Sequence, residues 1–304
     1  MRWMLYRWVW RLRSPLHIGH TPAGTLNRAR LYIPARNLWA ALTAEIARQH
    51  AGSSFPDYKD IGQELQEHVR FTYLFPAEWV GDRWYAWLPR YEEEKGLYWH
   101  REDGPKTSDR RFRWRLLHTR PGTAMAAGTG AAEEGTLREV EYIATHWKAP
   151  KASRPAPSSV AFVGYVFLKS TLSQVLEQAL RDIRELFIGG ETRYGFGHLV
   201  LQPESEQEPW ALARDCFDYS VNLTKETPVV VSPSHLLAHG ILPNHEPGIL
   251  PNHKGKGDRE ALFHWDWQTP QTTNQIYWLP GTQISGHVEF LVRRDGIWEG
   301  RPVR

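Results

Sequence analysis

FIGGETRYGFGHLVL, Phe187 to Leu201, packs four glycines into nine residues between an apolar run and a strand-like one. Glycine permits positive φ and the close approach of a second backbone. Gly189 and Gly190 are therefore expected to end a helix, while Gly195 and Gly197 bring the chain near a partner. Bare N–H groups beside Arg193, Tyr194, Phe196 and His198 suit a loop that holds phosphates. The bland alternative is a helix terminator with a bulged entry into a strand. GGETRYGFG is neither GxGxxG opening a helix nor GxxxxGK[ST], so nucleotide-cofactor loops are set aside.

Working outward, TLSQVLEQALRDIRELF (171–187) carries one apolar stripe and reads as a helix capped by Thr171 or Ser170. VAFVGYVFLK (160–169) before it and HLVLQP (198–203) after the loop read as strands. Upstream, WMLYRWVWRL (3–12) is a strand, ARNLWAALTAEIARQH (35–50) a helix preceded by Pro34, and 68–76 and 83–90 two more strands. From Tyr91 to Thr136 the pattern dissolves into charged and glycine-rich text, read as a projecting insertion. LREVEYIATHW (137–147) restores a strand before a Pro/Ser/Lys-rich break. With the insertion and its strand set aside, the order is β-α-β-β-α-β, the ferredoxin-like arrangement of many RNA-binding modules. The tail, 203–304, is expected to be mainly β and holds GILPNH twice, at 240–245 and 248–253, too little for a solenoid.

A chain of 304 residues at 41% hydrophobic content supports a folded core. It has no apolar run of about 18 residues and an N-terminus that alternates Arg with aromatics, so no membrane partner and a cytoplasmic location are expected. The one cysteine, Cys216, precludes an internal disulfide or a thiolate zinc cage made by this chain alone. Net charge is only +3, but residues 1–50 carry eight arginines and no lysine against the single acid Glu45. Guanidinium groups pair bidentately with phosphate and stack on bases, which makes a polyanion a candidate partner. Fifteen tryptophans serve core packing, while RRFRWR (110–115), with Arg111 and Arg113, has the mixture a base-stacking surface uses.

The combination of SPLHIGH after the first strand, YIPARNLWAAL at the helix start, LREVEYI and FIGGETRYGFGHLVL resembles the RAMP superfamily of CRISPR effector proteins, over residues 10–202. Within it the chain is most similar to the single-copy subunit that caps the 5′ handle of the crRNA in type III effectors, especially the III-D branch and its type VII relatives. The resemblance implies an α+β protein: a ferredoxin-like (RRM-like) RAMP domain at 1–202, a thumb-like insertion at 91–136 and a C-terminal extension at 203–304. It also implies a non-catalytic subunit that binds the repeat-derived handle and nucleates assembly. Its partners would be the crRNA, backbone RAMP subunits, a separate nuclease or large subunit, and target nucleic acid indirectly. On this sequence Gly189, Gly190, Thr192, Arg193, Tyr194, Gly195, Phe196, Gly197 and His198 would form the handle-binding loop. His17, Ile18, Gly19 and His20, with Arg28, Arg30 and Arg36, would line its other side, and Arg111 and Arg113 would add contacts from the insertion.

The alternative is a metal-independent crRNA-processing endoribonuclease of the same superfamily, with His20 or His17 as base. A third reading is a protein-binding scaffold whose Arg-rich start faces an acidic partner. His235 and His239 share i, i+4 spacing, but Pro233, Gly240 and Pro243 leave little helix for a zinc site. No paired carboxylates mark a magnesium nuclease, and neither cofactor nor metal is expected.

Overall fold

The structure, a computed structural model, describes residues 2–148, 158–203, 209–243, 254–265 and 270–302. In chain order to Gln202 these form β1 (Trp3–Leu12), β2 (Leu26–Asn27), α1 (Ala35–Ala51), α2 (Tyr58–His68), β3 (Val69–Phe71), β4 (Phe75–Val80), β5 (Arg83–Glu92), β6 (Gly96–Arg101), β7 (Lys106–Ser108), α3 (Asp109–Leu116), β8 (Leu117–Gly122), β9 (Arg138–Ile143), β10 (Ala161–Lys169), α4 (Gln174–Asp182), β11 (Glu185–Phe187) and β12 (His198–Gln202). Strands dominate, and the four helices all lie before Glu185, so the described chain is mixed α+β.

The main sheet runs β11-β12-β1-β10-β4-β5-β6-β7, with β3 also paired to β10. At its centre β1 and β10 pair antiparallel from Trp3 opposite Lys169 to Arg11 opposite Ala161. Trp3, Trp8, Trp10, Phe162 and Phe167 are all buried, which explains why neither strand alternates cleanly: both faces are covered. On α1, Leu38, Leu42 and Ile46 recur at i+4 and are completely buried. The helix lies against α2 and α4.

Several expectations change here. The helix α2 was not expected; Asp57 caps it by accepting the Asp60 N–H at 3.0 Å, and Gly62 lets the Trp39 indole reach its carbonyl at 3.0 Å. The helix expected over 171–187 is only α4, 174–182, capped by Ser173 rather than Thr171 or Ser170. At Ile183 the backbone turns extended (φ −64°, ψ 126°). Beyond it the inward positions fall at Leu186 and Ile188 with Phe187 outward, a period of two that makes β11. The glycine loop thus joins two strands of a hairpin and follows no helix, so Gly189 and Gly190 are not a helix terminator.

The range 91–136 is also more ordered than its composition implies. It holds β6 and β7, which extend the main sheet, then α3 and β8. The charges that look like loop text pair with one another: Glu78 accepts from Arg101 and Arg115 and from the Trp87 indole, and Arg113 pairs with Asp109. Trp99 stacks on Phe112 with centroids 4.3 Å apart. What departs from the main sheet is a small three-stranded sheet, β2-β9-β8.

Past Gln202 the described elements are all strands, as expected of a mainly β tail. Val229–Val231, Val288–Val292 and Trp298–Pro302 are neighbours in a second sheet. This tail shares the body's core. Phe217 meets Tyr165 and Phe75 edge-on, and Trp210 does the same to Tyr6 and Trp8. One continuous apolar cluster runs from Trp3 to Trp298. The second GILPNH copy, His245 and His253 fall outside the described residues, as does the His264 side chain. No described helix is long and apolar enough to cross a membrane.

Candidate nucleic-acid interface

The β11–β12 hairpin closes through Phe187 opposite His198. Between them Thr192–Tyr194 form one 3-10 turn, with Glu191 (φ 59°) and Gly195 (φ 82°) left-handed on either side. The loop is fastened to the segment after β1. Gly190 N–H donates to the His17 carbonyl at 2.9 Å, Gly197 N–H to the Pro15 carbonyl at 2.7 Å, and Ile188 N–H to the Gly197 carbonyl at 3.0 Å. Gly189 and Gly197 both have positive φ, and a Cβ there would overlap the carbonyl oxygens of His17 and Ile188 respectively. These two glycines therefore serve close approach between backbones. Gly195, beside open space, serves only its φ.

The first loop is tied in turn to the small sheet. Leu16 and Ile143 exchange backbone hydrogen bonds at 3.0 and 2.8 Å, the His17 ring bonds the Glu141 carbonyl through Nδ1 at 2.7 Å, and Ala29 N–H donates to the Glu141 carboxylate at 2.8 Å. Three chain segments distant in sequence thus form one platform.

On it Tyr194 is 59% exposed, with the guanidinium groups of Arg120 and Arg138 at 5.9 and 5.7 Å from its ring centroid. Phe196 is buried instead, edge-on to Tyr142, which stacks on His118. Arg120, Arg138, Val140, Glu191, Tyr194 and Phe196 are among the residues lining a cleft of about 190 Å³. Arg138 also lies 3.6 Å from Glu191. Arg193 is exposed on the same turn. His198 stacks on the half-exposed Phe187 at 4.8 Å and bonds Glu185 at 3.1 Å, on the hairpin rather than in this cleft.

Other expected residues are placed differently. Arg30 is consumed internally: both of its terminal nitrogens bond Glu260, at 2.6 and 3.0 Å, and one reaches the Tyr32 hydroxyl at 3.1 Å. His20 lies 3.4 Å from the same carboxylate, which also accepts from the buried His239, whose Nδ1 meets the Tyr73 hydroxyl at 2.6 Å. Burial alone would raise the Glu260 carboxyl, but hydrogen bonds from His20, His239 and Arg30 outweigh it and hold it well below the usual carboxylate range. Ile18 is buried, and its carbonyl accepts the Arg30 N–H at 2.7 Å. Gly19 and Arg36 are exposed and Arg28 is half-buried. Arg7 is buried against Glu102, and Arg48 pairs with Glu45, so the basic excess is less of a surface than its count implies. Arg111 is exposed on α3 while Arg113 is held by Asp109.

Arg120, Arg138 and Tyr142 were missed. The signal was available: in β8 and β9, His118, Arg120 and Gly122 stand opposite Tyr142, Val140 and Arg138, an alternation that puts all six on one face.

His235 and His239 do not converge on a metal cluster with other described residues. Burial, reinforced by Arg90, lowers the His235 pKa to about 4, and burial also lowers that of His239 against the pull of Glu260. Since both folded pKa values lie below the ordinary 6.5, the unfolded chain takes up protons first as pH falls. Stability is expected to be fully present above about pH 6.5 and to decline toward pH 4, the unfolded-state range for histidine onward. Urea midpoints at pH 8 and pH 5 check this; an unchanged midpoint would contradict it.

No protein-family model matches the sequence, and no curated protein matches it. Among solved structures, a chain of the type III-B Cmr-beta complex bound to cognate target RNA and AMPPnP matches with a TM-score of 0.52 and 13% identity, over 92% of this chain and 86% of that chain. Chains from the same kind of complex bound to cognate target RNA and in the apo state give TM-scores of 0.40 and 0.41 at 12% and 13% identity. Those two matches cover 65% and 66% of this chain and 96% of each of those chains. The first likeness shows a shared fold.

Proposed function

We propose that this chain is a non-catalytic, crRNA-binding subunit of a type III-like CRISPR effector, holding the repeat-derived 5′ handle and nucleating assembly. The observation that carries the reading is the glycine hairpin fastened to Pro15 and His17, with Tyr194 presented between two arginines. Arg193, with those loop N–H groups that do not already donate to the Pro15, His17, Glu191 and Thr192 carbonyls, would hold handle phosphates, and Tyr194 would stack a splayed base. The strand order β12-β1-β10-β4, that of a ferredoxin-like sheet, supports it as well; in this reading that sheet would be the RAMP core and the insertion at 91–136 its thumb. The match to a chain of an RNA-bound complex agrees with RNA and other effector subunits as partners. His20 beside Glu260 and His17 bonded through Nδ1 to a backbone carbonyl do not decide between this role and the endoribonuclease, since a catalytic base is commonly oriented in the same way; the products of the assay below decide it.

The test is binding of a labelled crRNA repeat across a salt series in EDTA, with products run on a denaturing gel. Intact RNA with salt-weakened binding is expected. Tyr194→Ala should weaken it by about 1–3 kcal/mol, and Arg193→Ala should lower the log-log salt slope by roughly 0.7. Cleaved repeat would transfer the assignment to the endoribonuclease, and no binding at low salt would sink it.

A further inference from the structure

Far along the chain from the glycine loop, a second cleft of about 480 Å³ opens between the end of α2 and β3 on one side and the turn joining Val288–Val292 to Trp298–Pro302 on the other. Arg70, Lys169, Arg293, Arg294 and Arg301 line it, with Glu67, Glu226, Asp295 and Glu299. The acids are unevenly used. Asp295 and Glu299 pair with Arg293, and Glu299 also lies near Arg301. Glu67 and Glu226 are exposed.

Arg70 is different. It is 6% exposed, its guanidinium lies 5.3 Å from the Trp3 ring centroid, and Lys169 approaches the same ring at 5.9 Å. One Arg70 terminal nitrogen donates to the Gln66 and Val69 carbonyls, while Nε has no hydrogen-bond partner. Burial, and after it the like charge of Arg294, lower its pKa to about 10 despite the nearby Asp295.

The turn that carries Arg294 is rigid. Arg293 and Ile297 are bonded across it at 2.9 Å, Asp295 accepts the Ile297 N–H at 3.1 Å, and Gly296 (φ 78°) sits where a Cβ would overlap that of Ala35 on α1. A buried guanidinium thus shares the cleft with Arg294, an exposed second cation, and an anion placed there would meet both. We propose that this cleft binds a phosphate group, with Arg70 and Arg294 as its ligands and Lys169 as added charge. Planar guanidinium forks matched to tetrahedral oxygens favour phosphate over a single carboxylate. The phosphate comes from a nucleic-acid strand or from a free phosphate compound.

Calorimetric titration of the full chain with inorganic phosphate, AMP, citrate and a 5′-hydroxyl RNA hexamer tests this. Binding of a phosphate-bearing probe is expected, weakened about tenfold or more by Arg294→Gln, the scale of one charge-assisted hydrogen bond, and unaffected by Lys59→Gln, an exposed cation that does not line the cleft. Arg294 is exposed, so its substitution leaves the fold intact where Arg70→Met would endanger it. Arg294-dependent binding of phosphate and AMP identifies a free compound, and Arg294-dependent binding of the hexamer alone identifies a strand. No binding at about 10 mM, indifference to Arg294→Gln, or citrate binding as tightly as phosphate would overturn the proposal.

Discussion

Glu260→Gln is expected to destabilise the protein by roughly 3–5 kcal/mol, the scale of leaving one partner of a buried ion pair uncompensated. Glu260 is 15% exposed and receives both terminal nitrogens of Arg30, itself 9% exposed. The same carboxylate holds His239 and lies beside His20, so its charge ties the first loop to the C-terminal strands. A neutral amide would leave the Arg30 charge buried without an anion. Urea denaturation of Glu260→Gln, and of Arg30→Met with Glu260→Met together, separates charge from packing. The double variant should recover most of the loss, because paired removal of buried charges is often neutral. A single variant as stable as the parent would show that water, not Arg30, satisfies this carboxylate.

Gly197→Ala is expected to be the most damaging single change in the glycine loop, at roughly 2–5 kcal/mol, combining left-handed strain with displacement of packed atoms. Its N–H and C=O both bond neighbouring backbone, to Pro15 and Ile188, and the added methyl would strike the Ile188 carbonyl oxygen. Gly195→Ala is the control. Its φ of 82° is nearly the same as the 81° of Gly197, but it faces open space, so only the backbone term of about 1–2 kcal/mol applies. Chemical denaturation ranks the two, and repeat binding should fall much further for Gly197→Ala. Equal effects would mean that the loop yields and that its docking onto Pro15 and His17 does not shape the site.

The strands at the sheet centre and the first helix were legible because their apolar residues recur at the right period or fill the strand entirely. The glycine loop was legible as a site but misread in its setting. The stripe from Leu172 to Phe187 satisfies a helical spacing throughout, while the switch to a period of two after Ile183 occupies too few residues to stand out. Insertion residues 91–122 were misread for a different reason: Arg101 and Arg115 look solvated in sequence, yet both reach Glu78, which only the fold brings near, while Arg113 pairs with Asp109 one helical turn away. Arg30 and His20 show the converse. Their position in an Arg-rich start indicated a polyanion, but Glu260, 230 residues from Arg30, claims them. Pairings that distant leave no local trace, whereas Arg120 and Arg138 were within reach of a reading of β8 and β9 by alternation.

The burial of the tryptophans also decides how the molecule reports on itself optically. Trp3, Trp8, Trp10, Trp99 and Trp298 are nearly or wholly hidden from solvent, and the stretch from Phe187 to Leu201 contains none. Intrinsic emission will therefore follow melting of the core and stay almost silent as RNA settles against Tyr194, which has to be followed from a label on the RNA. Among the described residues Trp79 and Trp114 are exposed, at 42% and 50%, and Trp114 lies on α3 with Lys148 at 5.9 Å. Quenching of its emission, isolated by comparison with Trp114→Phe, would signal contact at α3 rather than at the glycine loop.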